Sequence, residues 1–508
     1  MRVPAVIAVI AFGVTARAQA PATRLNPQVE RVIREISEER IAATLKKLES
    51  FETRHVMSEQ DHPTRGIGAA ARWLAAELAS YSPRLQVRRE KFPIRKSPDG
   101  RIQRDVELEN VVAVLPGVLN KDRCVVSSAH YDSLVLVRKK GTEQERIAEM
   151  VRRGMAEEEA RRYAHLFPAR EADIGVDWEA SAAQRFAPGV NDDGSGTAAV
   201  LELARVMSRY EWDKSILFVA FAAEETGMEG SKAFAAAAKK QSMQIEAVLN
   251  NDIIGSEVAG NRRAASSTVR VFADGPEDSP SRALLRYVRE HAERYVPSMN
   301  IDMIFRRDRF LRGGDHTSFA NEGFAAVRFT SAAENYANQH KVSDTFANTS
   351  VACAARVARV NAAALASLAL APRPPEVNWT YHSGPDKGRR VPMLGRGTSG
   401  YDAALRWLPS PEPDVAGYSV LVRSTTSPVW EREVYVGNVD RYVMPDVSID
   451  DRVIGVRAVD RDGNQSLVAA YLEPAQRRSA AEPIRPAVEP LSSAASGQTG
   501  TAADQTPK

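Results

Sequence analysis

Between about residues 110 and 370, short β-rich runs alternate with stretches of good helix propensity, and this alternation limits the possible folds more than any other feature. The clearest strand-like runs are 124–128, 216–221, 247–249, 269–272 and 326–329. Helical stretches separate them; the one at 197–210 places Val200, Leu203, Ala204 and Met207 on one face. Strands joined through helices pair by crossover connections. The pattern therefore predicts an α/β domain with a mixed, largely parallel central sheet flanked by helices. Upstream, residues 25–82 read as helical, with Ile33, Ile36 and Ile41 marking one segment and the run 69–78 another.

The two ends of the chain read differently. Arg2 and the uncharged apolar run 3–14 precede Ala16-Arg17-Ala18, an A-x-A cleavage pattern. Residues 1–18 are thus expected to be a signal peptide, with the mature chain starting near Gln19 and exported to a periplasm or the medium. No other uncharged apolar run reaches the ~18 residues that span a bilayer. Near Pro372-Arg373-Pro374-Pro375 the helical pattern gives way to short alternating runs such as 404–407, 418–422 and 453–459. Asp462-Gly463-Asn464 reads as a hairpin turn before 467–471. Residues 375–475 are expected to form an all-β sandwich; Trp407, the strand from Gly417-Tyr418 and the run from Val456 to Ser466 resemble a fibronectin type III module. From 476 to 508 the chain is poor in aromatic residues and rich in Ala, Ser, Pro, Gln and Thr, and disorder is expected.

Composition excludes several function classes. Lys+Arg 68 against Asp+Glu 65 leaves +3 with no long basic block, so a nucleic-acid or membrane-surface partner is not indicated. Two cysteines, Cys124 and Cys353, provide neither a disulfide framework nor a thiolate metal site. Cys124 reads as a buried, reduced core residue. Zincin, serine-hydrolase and P-loop signatures are missing.

Metal-type side chains gather instead at the predicted strand ends. His130 and Asp132 follow the strand ending near Ser128, in A-H-Y-D-S, and Glu224-Glu225 follow 216–221, in F-A-A-E-E-T-G. Asp252 follows 247–249, in N-N-D-I-I-G, and His340 lies beyond 326–329, in N-Q-H-K-V-S-D-T. Asp192-Asp193, in A-P-G-V-N-D-D-G-S-G, precedes the helix at 197–210. Each has an ordinary reading alone: a loop histidine, an N-cap pair, a solvated glutamate pair. In open α/β sheets, however, ligand sites form outside the carboxyl ends of the strands, where all five segments converge.

These ordered motifs, over roughly residues 30–370, resemble the co-catalytic di-zinc exopeptidases, which include bacterial leucyl-type aminopeptidases and glutamate carboxypeptidases. The resemblance implies two zinc ions per chain. One would take His130, Asp252 and Asp192, the other His340, Glu225 and Asp192, with Asp192 shared. It further implies Glu224 as general base and Asp132 as the residue orienting His130, with a peptide as substrate. Asp315-His316, in G-G-D-H-T-S-F, matches a motif near the site that does not bind metal.

Two features depart from the family pattern. Many relatives carry Tyr immediately before the last His, where Gln339 stands here. The interval from Asp132 to Asp192 is also unusually long, and its segment at about 141–170 reads as a helical insertion with Ile147, Met150, Val151 and Met155 at helical spacing. It is expected at the mouth of the site as a lid or specificity element, the alternative being an excursion pointing away. Arg306, Arg307, Arg309 and Arg312 could bind a substrate carboxylate or pair with local acids such as Asp302 and Asp308. The expected activity is that of an aminopeptidase. The rivals are a glutaminyl cyclase using one zinc, a carboxypeptidase of the same fold, and a non-catalytic protein that binds through its β-sandwich.

Overall fold

Three helices precede the first strand. α1 (Pro27–Arg34) starts where Asn26 accepts the Gln28 amide at 2.9 Å, with Pro27 at a position whose amide needs no partner. α2 (Glu38–Glu49) is capped by the Ser37 hydroxyl, and α3 (Gly66–Tyr81) buries its alanine-rich face. The computed structural model describes residues 25–97, 101–138, 143–152, 154–163, 174–178, 186–276, 278–306 and 313–472. The expected signal peptide and tail lie outside the described residues, as do Arg307, Arg309 and Arg312 and part of the insertion.

The strands of the first unit are β1 (Gln86–Ile94), β2 (Val106–Leu115), β3 (Asn120–His130), β4 (Leu136–Arg138), β5 (Ile174–Val176), β6 (Lys214–Phe221), β7 (Gln244–Asn251), β8 (Thr268–Phe272), β9 (Asn300–Ile304) and β10 (Ala326–Ser331). Eight of them form one sheet in the order β1-β2-β6-β3-β7-β10-β8-β9. β6, β3, β7 and β10 are mutually parallel neighbours, so all four end at the same edge. The outer pairs β1–β2, β2–β6 and β8–β10 are antiparallel, which makes the sheet mixed, as expected.

Successive strand residues face opposite sides of the sheet, and both sides are covered. Val125 and Ala129 face one core, which also holds residues of α1, α2, α3, α6 (Gly194–Met207), α8 (Pro280–Tyr295) and α10 (Val351–Leu370). Cys124 and Val126 face the other, covered by α7 (Glu229–Lys240) and α9 (His316–Asn321) through Phe234 and Phe319. Both cysteines are buried thiols. Among the described residues α10 alone is long and apolar enough to cross a membrane, yet 78% of its apolar window is buried in the core.

The insertion is a two-stranded stem, β4 with β5, carrying α4 (Glu143–Arg152) and α5 (Glu157–Tyr163). Ile147 and Ala160 are buried between the two helices, with Met150 and Met155 packed against them. A turn at Gly154 (φ 93°) separates the helices, so the apolar spacing does not run through one helix, and Val151 is left exposed.

Beyond α10, β11 (Asn378–Thr380) pairs with β12 (Arg390–Pro392). β13 (Leu394–Arg396), β14 (Ala403–Arg406) and β17 (Arg441–Met444) form one antiparallel sheet. β16 (Arg432–Gly437), β15 (Val415–Ser424), β18 (Arg452–Asp460) and β19 (Ala469–Ala470) form a second. The two share a core around Trp407 and Tyr418, whose ring centres are 5.4 Å apart. The last strand is shorter than the expected run 467–471, because Leu467 turns away to pack against the core of the α/β unit.

The sandwich is fastened to α8. Arg457 reaches Glu290 at 3.0 Å and also Glu433, Arg423 pairs with Asp278, and Tyr287 Oη donates to the Gln465 carbonyl at 3.1 Å. Elsewhere along this seam Arg123 pairs with Glu412 at 2.9 Å.

Candidate active site

The four parallel strands deliver their following residues to one edge. His130 is the last residue of β3, and Asp252 directly follows β7. Glu224 and Glu225 follow β6 after the intervening Ala222 and Ala223, and His340 lies on the loop beyond β10. Ala223, Ile253 and His340 adopt left-handed backbone (φ 64°, 63° and 54°). Such conformations are unfavourable for residues with a Cβ and cluster where the surrounding structure must aim a side chain.

The Asp192-Asp193 pair divides its work. Asp193 is the N-cap of α6, accepting the Gly196 amide at 2.9 Å; its carboxylate also accepts the amides of Ile253 at 3.1 Å and His130 at 3.3 Å. It therefore ties three ligand-bearing segments together. Asp192 turns the other way: its Oδ1 lies 3.3 Å from His130 Nε2, and its Oδ2 lies 3.1 Å from His340 Nε2. Glu225 is 3.0 Å from His340 Nε2, and Asp252 is 4.0 Å from His130 Nε2.

His130, Asp192 and Asp252 form one set whose donor atoms lie within 4.8 Å of one another; Asp192, Glu225 and His340 form a second. Two buried polar atoms, His130 Nε2 and Glu225 Oε1, make no hydrogen bond. A buried polar atom without a partner is costly, and a cation held by these sets would satisfy both. The donors are imidazole nitrogens and carboxylate oxygens, a combination that suits zinc. Glu224 belongs to neither set.

Asp132 holds more than one ring. The His130 Nδ1 lies 3.2 Å from the Asp132 carbonyl and 3.5 Å from its carboxylate. That carboxylate also accepts the amides of Glu224 at 3.1 Å and Glu225 at 3.3 Å, linking the end of β3 to the turn after β6. Gln339, in the place of the family tyrosine, donates from Nε2 to Asp192 Oδ2 at 3.1 Å.

The electrostatics follow from burial and crowding. Burial pushes the Glu224 carboxyl well above the usual range, with Asp252, Glu225 and Asp315 adding to the rise. Asp315 is pushed up to about 7, again chiefly by burial. Burial also acts to raise Asp192, but His130 and His340 outweigh it and hold this carboxyl well below its usual range.

Sequence reasoning singled out none of three further residues. Arg328, on β10, is buried and sits 2.9 Å from Asp252. Asp344 accepts the amides of Asn191 and Asp192, and Arg54 is buried behind the turn that carries Asp192. Only Asp344 carried a signal, its place in the run that follows His340.

The model of peptidase family M28 matches residues 110–365. A probable zinc metalloprotease of Pyrenophora teres f. teres is 33% identical over 483 residues, covering 89% of this chain and 88% of that protein. One of Leptosphaeria maculans is 32% identical over 470 residues, covering 86% and 95%. Among solved structures, the LapA aminopeptidase of Legionella pneumophila overlaps 69% of this chain and 77% of its own at 18% identity, with a TM-score of 0.46. By the span of the family match and the length over which a third of the residues agree, the chain belongs to peptidase family M28.

Proposed function

We propose that the chain is an exported zinc aminopeptidase that holds two zinc ions and removes N-terminal residues from peptides. The observation that carries this reading is the Asp192 carboxylate, with one oxygen turned to His130 and the other to His340. One zinc would be held by His130, Asp252 and Asp192, the other by His340, Glu225 and Asp192. Relatives named as probable zinc metalloproteases support the choice of metal. Zinc bound there would supply Lewis acidity to the scissile carbonyl and to the attacking water.

The remaining work falls to the chain's own residues. Glu224, next to a ligand and in neither set, takes the proton of the attacking water and delivers it to the leaving amine. Asp132 keeps His130 and the Glu224-Glu225 turn in fixed relation, and Gln339 steadies Asp192. The stem of the insertion meets the His340 loop, where the Leu136 amide donates to the His340 carbonyl at 3.0 Å, and this supports the reading that its helices limit access by substrate length. Export rests on the apolar run 3–14 and the Ala16-Arg17-Ala18 pattern. The C-terminal sandwich is of fibronectin type III kind.

The test is metal analysis with a substrate panel: free and N-blocked peptides, amino-acyl anilides and N-terminal glutaminyl peptides. Two zinc ions per chain, hydrolysis that requires a free N-terminus, and loss of activity on chelation are expected. One zinc with ring closure of glutaminyl peptides would replace this reading with a cyclase. Release of C-terminal residues from N-blocked peptides would replace it with a carboxypeptidase.

A further inference from the structure

Arg54 is fully buried, yet among the described residues it forms no ion pair. Its guanidinium donates only to main-chain carbonyls: Nε to Tyr131 at 2.6 Å, Nη1 to Pro188 at 2.5 Å and Leu48 at 3.2 Å, and Nη2 to Gly189 at 2.8 Å. Tyr131 adjoins His130, and Pro188-Gly189 open the turn that carries Asp192. A rigid planar fork with five N–H donors can span three chain segments in this way; an ammonium group on a flexible stem cannot.

Asp344 grips the same turn from the other side. Its carboxylate accepts the Asn191 amide at 2.9 Å and the Asp192 amide at 3.0 Å, and its carbonyl accepts the Val190 amide at 3.0 Å. It follows His340 on the same loop. The turn has little freedom between the two grips. Gly189 is left-handed (φ 47°), and a Cβ there would lie 2.5 Å from the Ser133 Cβ and 3.3 Å from Arg54 Nη2.

We propose that Arg54 and Asp344 are positioning residues that clamp the turn 188–192 between the two ligand sets, so that one carboxylate, Asp192, can face both. Arg54 ties the turn to the His130 segment, and Asp344 ties it to the His340 segment. Neither touches substrate. The proposal rests on Asp192 being the shared zinc ligand. Loosening Arg54 moves Asp192 chiefly relative to the His130 set, and loosening Asp344 moves it chiefly relative to the His340 set.

The test compares Arg54→Lys, which keeps the charge but not the fork, with Asp344→Asn, which turns one acceptor into a donor facing an amide. Zinc affinity of the metal-stripped protein is measured by chelator competition, beside kcat, KM and the thermal midpoint. Both variants should lose at least ~10-fold in zinc affinity, with kcat lowered and KM near wild type, as expected for residues that orient ligands. Asp344→Asn should add little to the zinc loss of Glu225→Gln but add fully to that of Asp252→Asn, because only the former shares its set. If Arg54→Lys does not fold, Asp344→Asn and its pairings decide alone. A lowered thermal midpoint with wild-type zinc affinity and kcat would overturn the proposal and leave the two residues purely structural. Asp192→Asn separates the two readings. If it leaves zinc affinity unchanged, the shared-ligand reading and the clamp both fall; if it loses zinc while the other two variants do not, only the clamp falls.

Discussion

Glu224 and Glu225 have the same side chain and adjacent positions, yet the strand end aims them at different tasks. Glu225 reaches His340, whereas Glu224 stays outside both ligand sets. Glu225→Gln should therefore lower zinc content, while Glu224→Gln should keep zinc and lower kcat by ~10²–10⁴ with KM little changed, the range that proton transfer supplies. Metal analysis and steady-state kinetics on both variants check this; loss of zinc from Glu224→Gln alone would exchange the roles. These acids were visible in the sequence because they come just past an apolar strand, where a solvated carboxylate is out of place. Arg54 and Arg328 were not. The guanidinium of Arg54 is satisfied by main-chain carbonyls that any residue could supply, and Arg328 reads as one more residue of an apolar strand, its partner Asp252 being on a different strand end, so neither leaves a periodic or motif signal.

At the scale of elements, the site exists because β6, β3, β7 and β10 are parallel and end together. Helix–strand alternation made that legible, since parallel strands require crossovers. The edge strands were less legible. β4 and β5 are three residues each, too short for an alternation of their own, so their pairing depends on neighbours that the sequence does not reveal. The insertion was visible as an interval of unusual length, but its break into α4 and α5 was not. Those helices bury Ile147 and Ala160 against each other, and their stem is tied to the ligand loop through Leu136, which bonds with His340 and Lys341. Replacing 143–163 with a short linker should leave zinc content intact and change the ratio of kcat/KM between dipeptides and longer peptides by several-fold, as for a gate on access. Identical ratios before and after would place the helices away from the substrate path.

At the scale of the whole molecule, the change of texture near Pro372 marked where the α/β unit ends, but not that the sandwich is fastened to it. Arg457 alternates with Ile454, Val456 and Ala458 along β18 and so reads as facing solvent. It faces away from the sandwich core, but into α8. At the same seam Asp213 meets Asp414, Asp460 and Asp462. Burial, then the charges of Asp414 and Asp460, push the Asp213 carboxyl up to about 6; Asp460 is also raised to about 6, chiefly by burial. A carboxyl raised above its unfolded value favours the folded state below that value, and the advantage is lost as pH rises through about 6. Asp213→Asn should therefore stabilise the protein at pH 8 by ~1 kcal/mol, the figure being reduced for partial exposure. The gain should fade as pH drops toward 4. Paired thermal melts across that range measure it, and a gain that does not depend on pH would mean that no charge repulsion is present.

The buried arginines of the seam also bear on how such a chain can change over generations. A sandwich separated from its host would carry Arg423 without Asp278 and Arg457 with Glu433 but not Glu290, while in the host Asp278 would keep Arg286 and Glu290 would keep Arg294. Arg423, buried against a new host with no acid opposite, would cost more than the intact pair contributes. Recombination that joined this sandwich to another enzyme would thus begin from a penalty at the seam. The two units are best regarded as one inheritable piece, free to vary at the insertion and at the chain ends, and bound to co-vary where α8 meets β18.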